Sequence, residues 1–348
     1  MKIPALITAL LFAAAGAKGG VGEAKVFPAS GLADISIGTV AGPAVITAGG
    51  KSEVSVVVTG EEPGTCVITL KTEGKKFIAR AEGAPKAGAE KRGFWRRLFG
   101  GYDEFDSRYQ TCRAGFTITA PATLKLSAES VSGELKISGF SAAVEAETTS
   151  GRIAAENLGA GLSARSVSGP VSVSEVAGAV DAGTTSGAMM ISGLKGGLKA
   201  GSVSGDISVS SVAGAAAAET TSGDVKLSGI GGAIAVGTVS GDVSGVSCAK
   251  SLEVNTTSGK VVFGGLGGPA KVSGGSGDVE LSWAKAPASG EARVETVSGA
   301  VRLFFPAGAS VGTSLSSTSG KKVSEFSGGA FRVEAETVSG DISVLKGK

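Results

Sequence analysis

From Leu135 onward, apolar and polar residues alternate in short runs, and the runs recur every 18 residues. Ser-Gly pairs end at Gly133, Gly151, Gly169, Gly187, Gly205, Gly223, Gly241, Gly259 and Gly277, each 18 residues after the one before. Three more end at Gly299, Gly320 and Gly340, at intervals of 22, 21 and 20. Two and four residues after each glycine the chain is mostly apolar, as at Leu135 and Ile137, Val171 and Val173, or Ile207 and Val209. The residue between them is mostly polar. Seven residues on, an apolar residue recurs, among them Phe140, Leu158, Val176 and Cys248. A small or Gly-rich turn follows, and then a second alternating run, with Val144 and Ala146 or Val180 and Ala182 on one side and Glu145 or Asp181 on the other. Period-two alternation is the mark of a half-buried strand. Each repeat therefore reads as strand, turn, strand, turn.

One such unit cannot bury its apolar columns, but stacked units can, like residue upon like. The same residue order in every unit favours parallel stacking, with an advance of about 4.8 Å per coil. An antiparallel meander is the runner-up, and it explains the constancy of the columns less well. The pattern thus predicts an all-β fold, a single-stranded parallel β-solenoid or β-helix of about 18 residues per coil, over residues 126–348. Each second strand ends in [ST]-[VT]-S-G, where the glycine is expected to supply a positive φ in a tight turn. The residue before Ser-Gly alternates, Val131, Thr149, Val167, Thr185, Val203, Thr221, which marks a second period of 36 residues. The longer last coils, with Lys321, Lys322, Lys346 and Lys348, suit a blunted terminal edge.

Residues 18–125 read as an irregular N-terminal β region, in which Thr39-Val40-Ala41-Gly42 looks like a decayed turn. It is interrupted by an insert at 84–111 that holds six of the chain's 17 aromatics. Phe94, Trp95, Arg96, Arg97, Phe99 and Tyr102 are its candidate interaction residues, since aromatics beside arginine make good binding anchors. The other reading, which the need to cover an open solenoid end favours, is a cap.

Residues 1–17 fit a secretory signal peptide: Lys2, an apolar run from Ile3 to Ala14, and Ala15-Gly16-Ala17 before an expected cleavage at Lys18. The apolar run is short for a membrane span, and no later segment suffices, so no integral span is expected after cleavage. Export permits a disulfide. Cys66 and Cys112 both lie in the N-terminal region and are the favoured pair; the alternative is two small buried apolar residues. Cys248 stands in an inward column and reads as core.

Composition narrows the chemistry. With 33 basic and 31 acidic residues, net charge +2, nothing draws the chain toward nucleic acid. The absence of histidine removes Ser-His-Asp and Cys-His catalysis and most zinc sites. The Gly-Asp positions, Asp206, Asp224, Asp242 and Asp278, are replaced in other coils by Glu134, Arg152, Pro170, Ala188 and Lys260, which argues against a calcium ladder. Outward charges such as Glu147, Lys199, Glu253 and Arg293 look scattered, as on a solvated face. A hydroxyl ladder for ice is disfavoured, because the Ser/Thr three before each glycine falls on the inward parity. No catalytic residue, cofactor or metal is expected.

The segments GLADISIGTVAGPAVIT, FTITAPATLKLSAESVSGELKIS, TTSGDVKLSG and SVSGDISVS resemble a bacterial family of secreted β-strand-repeat proteins known as "putative adhesins". The resemblance spans roughly residues 28–345. It implies a solenoid at the cell envelope, in the periplasm or at the cell surface, and supplies no catalytic residues. The expected function is a non-enzymatic adhesin or structural interaction scaffold with an envelope, surface or glycan partner. A carbohydrate-binding or carbohydrate-active β-helix is the alternative, and it requires charges to converge on one face.

Overall fold

The computed structural model describes residues 22–50, 52–60, 65–85, 111–285 and 287–347. All of its named elements are strands. It divides into two compact units, residues 1–169 and 170–348. Residues 1–17, the expected signal peptide, and residues 86–110 of the insert lie outside the described residues.

The first unit contains strands β1 (Ala24–Pro28), β2 (Asp34–Thr39), β3 (Ala44–Ala48), β4 (Glu53–Thr59), β5 (Cys66–Glu73), β6 (Lys76–Gly83), β7 (Gly115–Ala120), β8 (Lys125–Ser130), β9 (Leu135–Ser138), β10 (Val144–Thr148), β11 (Ile153–Leu158) and β12 (Leu162–Ser166). They form two ladders, β1-β4-β7-β3-β9-β11 and β5-β6-β2-β8-β10-β12. From β8 onward each ladder is parallel and in register, Val144 opposite Leu162 and Ile153 opposite Leu135. Antiparallel pairing is confined to β1–β4, β4–β7 and β5–β6. The antiparallel meander is thereby excluded for the array. Parallel stacking wins because it sets every inward residue on its equivalent one coil away.

In the second unit one ladder runs from Val171–Val176 and the other from Val180–Thr184, each strand paired in parallel with its equivalent 18 residues on. Val171, Met189, Ile207, Val225, Val243 and Val261 stack in one buried column. Ala182, Ala200 and Ala218 form another, which continues through the buried Val236, Val254 and Val272. Each buried Val, Leu or Ile contributes about 1.5–3 kcal/mol.

Neither unit keeps its coils in chain order at the end. The first coil, β2 and β3, lies one layer in: β2 sits between β6 and β8, and β3 between β7 and β9. At the other end, strands Phe331–Ser339 and Ile342–Lys346 lie between coil 290–305 and coil 311–324. The outermost strands there are Val311–Ser317 and Lys322–Ser324. This corrects the expectation for the terminal lysines. Lys321 and Lys322 flank the edge, whereas Lys346 ends an inner coil, because coil 331–346 lies between coils 290–305 and 311–324; Lys348 lies outside the described residues.

Candidate functional site

The turn that defines the repeat is built from three residues. The Ser or Thr three before the glycine points inward, and in four turns its hydroxyl accepts the glycine N–H: Gly151 to Thr148 Oγ1 at 2.9 Å, Gly187 to Thr184 at 2.9 Å, Gly205 to Ser202 at 2.8 Å and Gly223 to Thr220 at 3.0 Å; among the described residues the hydroxyls of Ser166, Thr238, Thr256 and Thr337 make no hydrogen bond. The outward serine donates to a carbonyl of the adjacent coil, Ser150 to Val131 O at 3.3 Å and Ser168 to Thr149 O at 3.2 Å. The glycine itself is needed for close approach, and in four turns for handedness as well. A Cβ on Gly151, Gly169, Gly205, Gly223 or Gly241 would fall deep inside contact with the carbonyl oxygen of the equivalent glycine one coil away. In this column only Gly259, Gly277, Gly299 and Gly340 have positive φ. The expected positive φ is met at those four turns, while at Gly151, Gly169, Gly205, Gly223 and Gly241 close stacking alone requires the glycine. The decayed turn obeys the same rule: Gly133 stacks on Gly42, and Thr39 Oγ1 donates to Ser130 Oγ at 3.0 Å.

Left-handed residues stand elsewhere, six places after each glycine. Gly139, Asn157, Glu175, Gly193, Ser211, Gly229, Ser247 and Gly265 have φ between 54° and 80°. This one-residue bulge is why the third inward residue comes at the seventh position rather than the sixth. Where it ends, the register shifts, and Trp283 takes the place opposite Leu266. From Glu175 onward the column alternates non-glycine and glycine. Val-Ser-Gly coils carry Glu or Ser there and Thr-Ser-Gly coils carry Gly, so the 36-residue period appears in two columns in phase.

The Asp column is likewise structural. Asp206 Oδ1 accepts the Asp224 N–H at 3.0 Å, Asp224 that of Asp242 at 3.0 Å, Asp242 that of Lys260 at 2.8 Å and Asp278 that of Ala300 at 2.9 Å. Among the described residues no His, Cys, Asp and Glu group in threes around a possible metal position. Cys248 is buried in its column, and burial pushes its thiol up to about 11, so it is no nucleophile.

What each turn exposes is its Val or Thr. Val203, Val239, Val297 and Val338 in the second unit, and Val167 in the first, are about half exposed. The insert leaves from the same corner. Strands β6 and β7 form the coil outside β2 and β3, and residues 84–114 join them where other coils have the four-residue turn. Cys66 and Cys112 are joined by a disulfide at its base, with Cα atoms 5.0 Å apart. Cys66 is opposite Gly83 in the ladder, and the Ala41 N–H donates to Cys112 O at 3.1 Å. Phe94, Trp95, Arg96, Arg97, Phe99 and Tyr102 lie outside the described residues.

The outward charges are less scattered than the pattern suggested. On the outer face of the second ladder of the first unit, the register places Arg80, Gly38, Glu129, Glu147 and Arg165 on successive strands. Gly38 has no side chain, so Arg80 and Glu129 face each other across it. Burial holds the Glu129 carboxyl above its ordinary range; the positive charge of Arg80 opposes this, and Glu147 adds to it. Arg165 lies 3.8 Å from Glu147. In the second unit Arg293 bonds Glu295 at 2.6 Å and Glu334 at 3.1 Å, which pushes the guanidinium pKa up.

A parallel β-solenoid of 18-residue coils, with side chains bonded along rows from coil to coil, is the class these features define. The chain belongs to the Toastrack DUF4097 family, which matches residues 46–244 and 230–345. No curated protein matches it. A solved structure of a "putative cell adhesion protein" from Clostridium sporogenes aligns at 8% identity over 93% of this chain and 98% of that one, with a TM-score of 0.18. At that score the likeness carries no argument. Among the described residues no helix is long and apolar enough to cross a membrane.

Proposed function

We propose that this chain is a non-enzymatic, exported interaction scaffold of the cell envelope or surface. The observation that supports it most is how the repeating polar groups are used. Asp carboxylates, turn hydroxyls and many outward charges bond the next coil, while several turns expose a valine, Val203, Val239, Val297 and Val338. Side chains committed to neighbouring coils hold a surface in place; they are not arranged to move protons or attack a substrate. Phe94, Trp95 and Arg96 are the residues we assign to partner contact, on the chemistry of aromatic and arginine anchors.

The test has two arms. N-terminal sequencing of the exported protein should begin at Lys18, and protease applied to whole cells should cut it. A pull-down from envelope fractions should recover a partner that is lost with Trp95→Ala and Arg96→Ala together. A protein that stays in the cytosol, or a partner indifferent to both substitutions, sinks this reading. The carbohydrate alternative draws on one observation, the Arg80, Glu129, Glu147 and Arg165 row on one face. A glycan array and a depolymerisation assay with Glu129→Gln as control decide it, and turnover abolished by that change would replace the scaffold reading with an enzyme.

A further inference from the structure

The inner seat of coil 331–346 is a binding slot occupied by the chain's own end. One wall is Gly290–Ser298 with Val301–Phe305, and the other is Val311–Ser317 with Lys322–Ser324. The seated coil bonds both. On one side the Gly299 N–H donates to Ser339 O at 3.0 Å and the Val301 N–H to Asp341 O at 2.9 Å. On the other the Ile342 N–H donates to Lys321 O at 2.8 Å, and Asp341 Oδ1 accepts the Lys321 N–H at 2.8 Å. Phe331, Val333, Ala335, Ile342 and Val344 are buried there. In the outer wall only Val311 is buried, so that wall holds its position through the coil seated beneath it.

We propose that this slot is a strand-exchange site, in which the terminal coil of a second copy of the chain replaces the chain's own and two copies become a dimer. Three observations choose that occupant. An identical coil meets the same register on both walls. The connection, Glu325 to Ala330, is exposed apart from half-buried Phe326, and it contains Gly328-Gly329. Its six residues reach about 20 Å when extended, more than the roughly 10 Å of two coil layers. Exchange re-forms the coil's contacts with both walls; what it opens is the connection, whose Phe326 lies against Phe305 and whose Gly328 bridges Val311.

Ser298 and Ser339 are register partners and both are exposed. The test places a cysteine on one or the other, in full-length chains carrying Cys248→Ala and keeping the Cys66–Cys112 bridge. Chains with Ser298→Cys and chains with Ser339→Cys are mixed, unfolded without reductant in mild acid, refolded at two concentrations tenfold apart and oxidised. A disulfide between them forms only when the coil of one lies beside strand Gly290–Ser298 of the other. The expected result is a covalent heterodimer whose ratio to monomer rises about tenfold with concentration, by mass action. A chain carrying both cysteines should close internally when refolded dilute. No heterodimer at either concentration, while the double variant closes, overturns the proposal. So does failure of the double variant to close, because the register is then wrong. Equal cross-linking of the Ser298→Cys chain to a Ser222→Cys chain overturns it too, as contact without register.

Discussion

In the first unit the coil 34–48 is tucked beneath a later coil, and in the second the coil 331–346 is tucked beneath an earlier one. The two displacements are secured by different chemistry. Around the first stand the antiparallel strands β1, β4 and β5, with the Cys66–Cys112 bridge at the root of the insert. Around the second stand aromatic rings: Trp283 stacks on Phe305 at 4.2 Å, Phe331 lies 5.7 Å from Phe305, and Phe326 covers Phe305 at 6.0 Å. The indole N–H of Trp283 donates to Gly268 O at 2.8 Å. The regular coils of either unit have neither device. They are held by glycine stacking, joined in some coils by hydroxyl-capped turns and in some by Asp bonds. The difference is between ends that depend on particular side chains and coils that depend on close backbone approach.

The strongest way to break that comparison is at the aromatic end. Phe331→Ala should cost about 3–5 kcal/mol, from transfer and cavity together, and should expose coil 311–324 to protease first; a melting curve unchanged from wild type would show that the rings are not what holds the coil. Next is the bridge. Cys66→Ser with Cys112→Ser should cost about 2–4 kcal/mol, as expected for closing a loop of 46 residues. Denaturant titration should place the loss in the first unit alone. For the regular coils, Gly223→Ala should cost about 1–3 kcal/mol through overpacking, although φ there suits alanine. If Gly223→Ala were neutral, the stacking argument would fail.

Two smaller changes sharpen the picture. Ser211→Gly, at a left-handed position, should gain about 0.5–1 kcal/mol, the relief of the Cβ clash less the added chain entropy. The same change at Ser208, in the same strand but without a positive φ, should lose stability. Glu129 supplies the pH signature. Its folded pKa is raised, so the folded state holds more proton than the unfolded chain, and stability should fall as pH rises through a window that starts near 4.5. Glu129→Gln should flatten that slope in pH-dependent melting. A slope of the same size in the variant would place its origin elsewhere.

The inward columns, the parallel register and the inward Ser/Thr of the turn were legible, because period-two alternation at a constant 18-residue spacing leaves few alternatives. The left-handed column was not read, although the apolar residue at the seventh place after the second and fourth is its trace in the sequence, because the positive φ was assigned to the turn glycine. Coil order at the ends was not legible. Coils 290–305, 311–324 and 331–346 carry the same alternation, so each accepts any other as neighbour, and only the lengths of their connections and the fit of Trp283, Phe305 and Phe331 select one order. The Arg80–Glu129 pairing was hidden because it depends on which strand lies on either side of Gly38. The role of the turn glycine was misjudged for a related reason. The demand on it comes from a carbonyl oxygen one coil away, which local turn chemistry does not contain.

The in-phase alternation of Val or Thr before Ser-Gly with Ser or Gly at the bulge has a consequence for length. A stretch of 36 residues, such as Asp206–Gly241, begins and ends on equivalent atoms, and its two faces are each complementary to the other. A second copy of that stretch inserted after Gly241 would meet the same carbonyl, the same Asp and the same turn hydroxyl that are there now. The array would grow by about 10 Å with neither terminus disturbed. A single added 18-residue coil would set two like bulge residues one above the other. From Glu175 onward the natural quantum of growth is therefore the pair of coils, and the number of coils can be reset in steps of two by copying DNA already in frame.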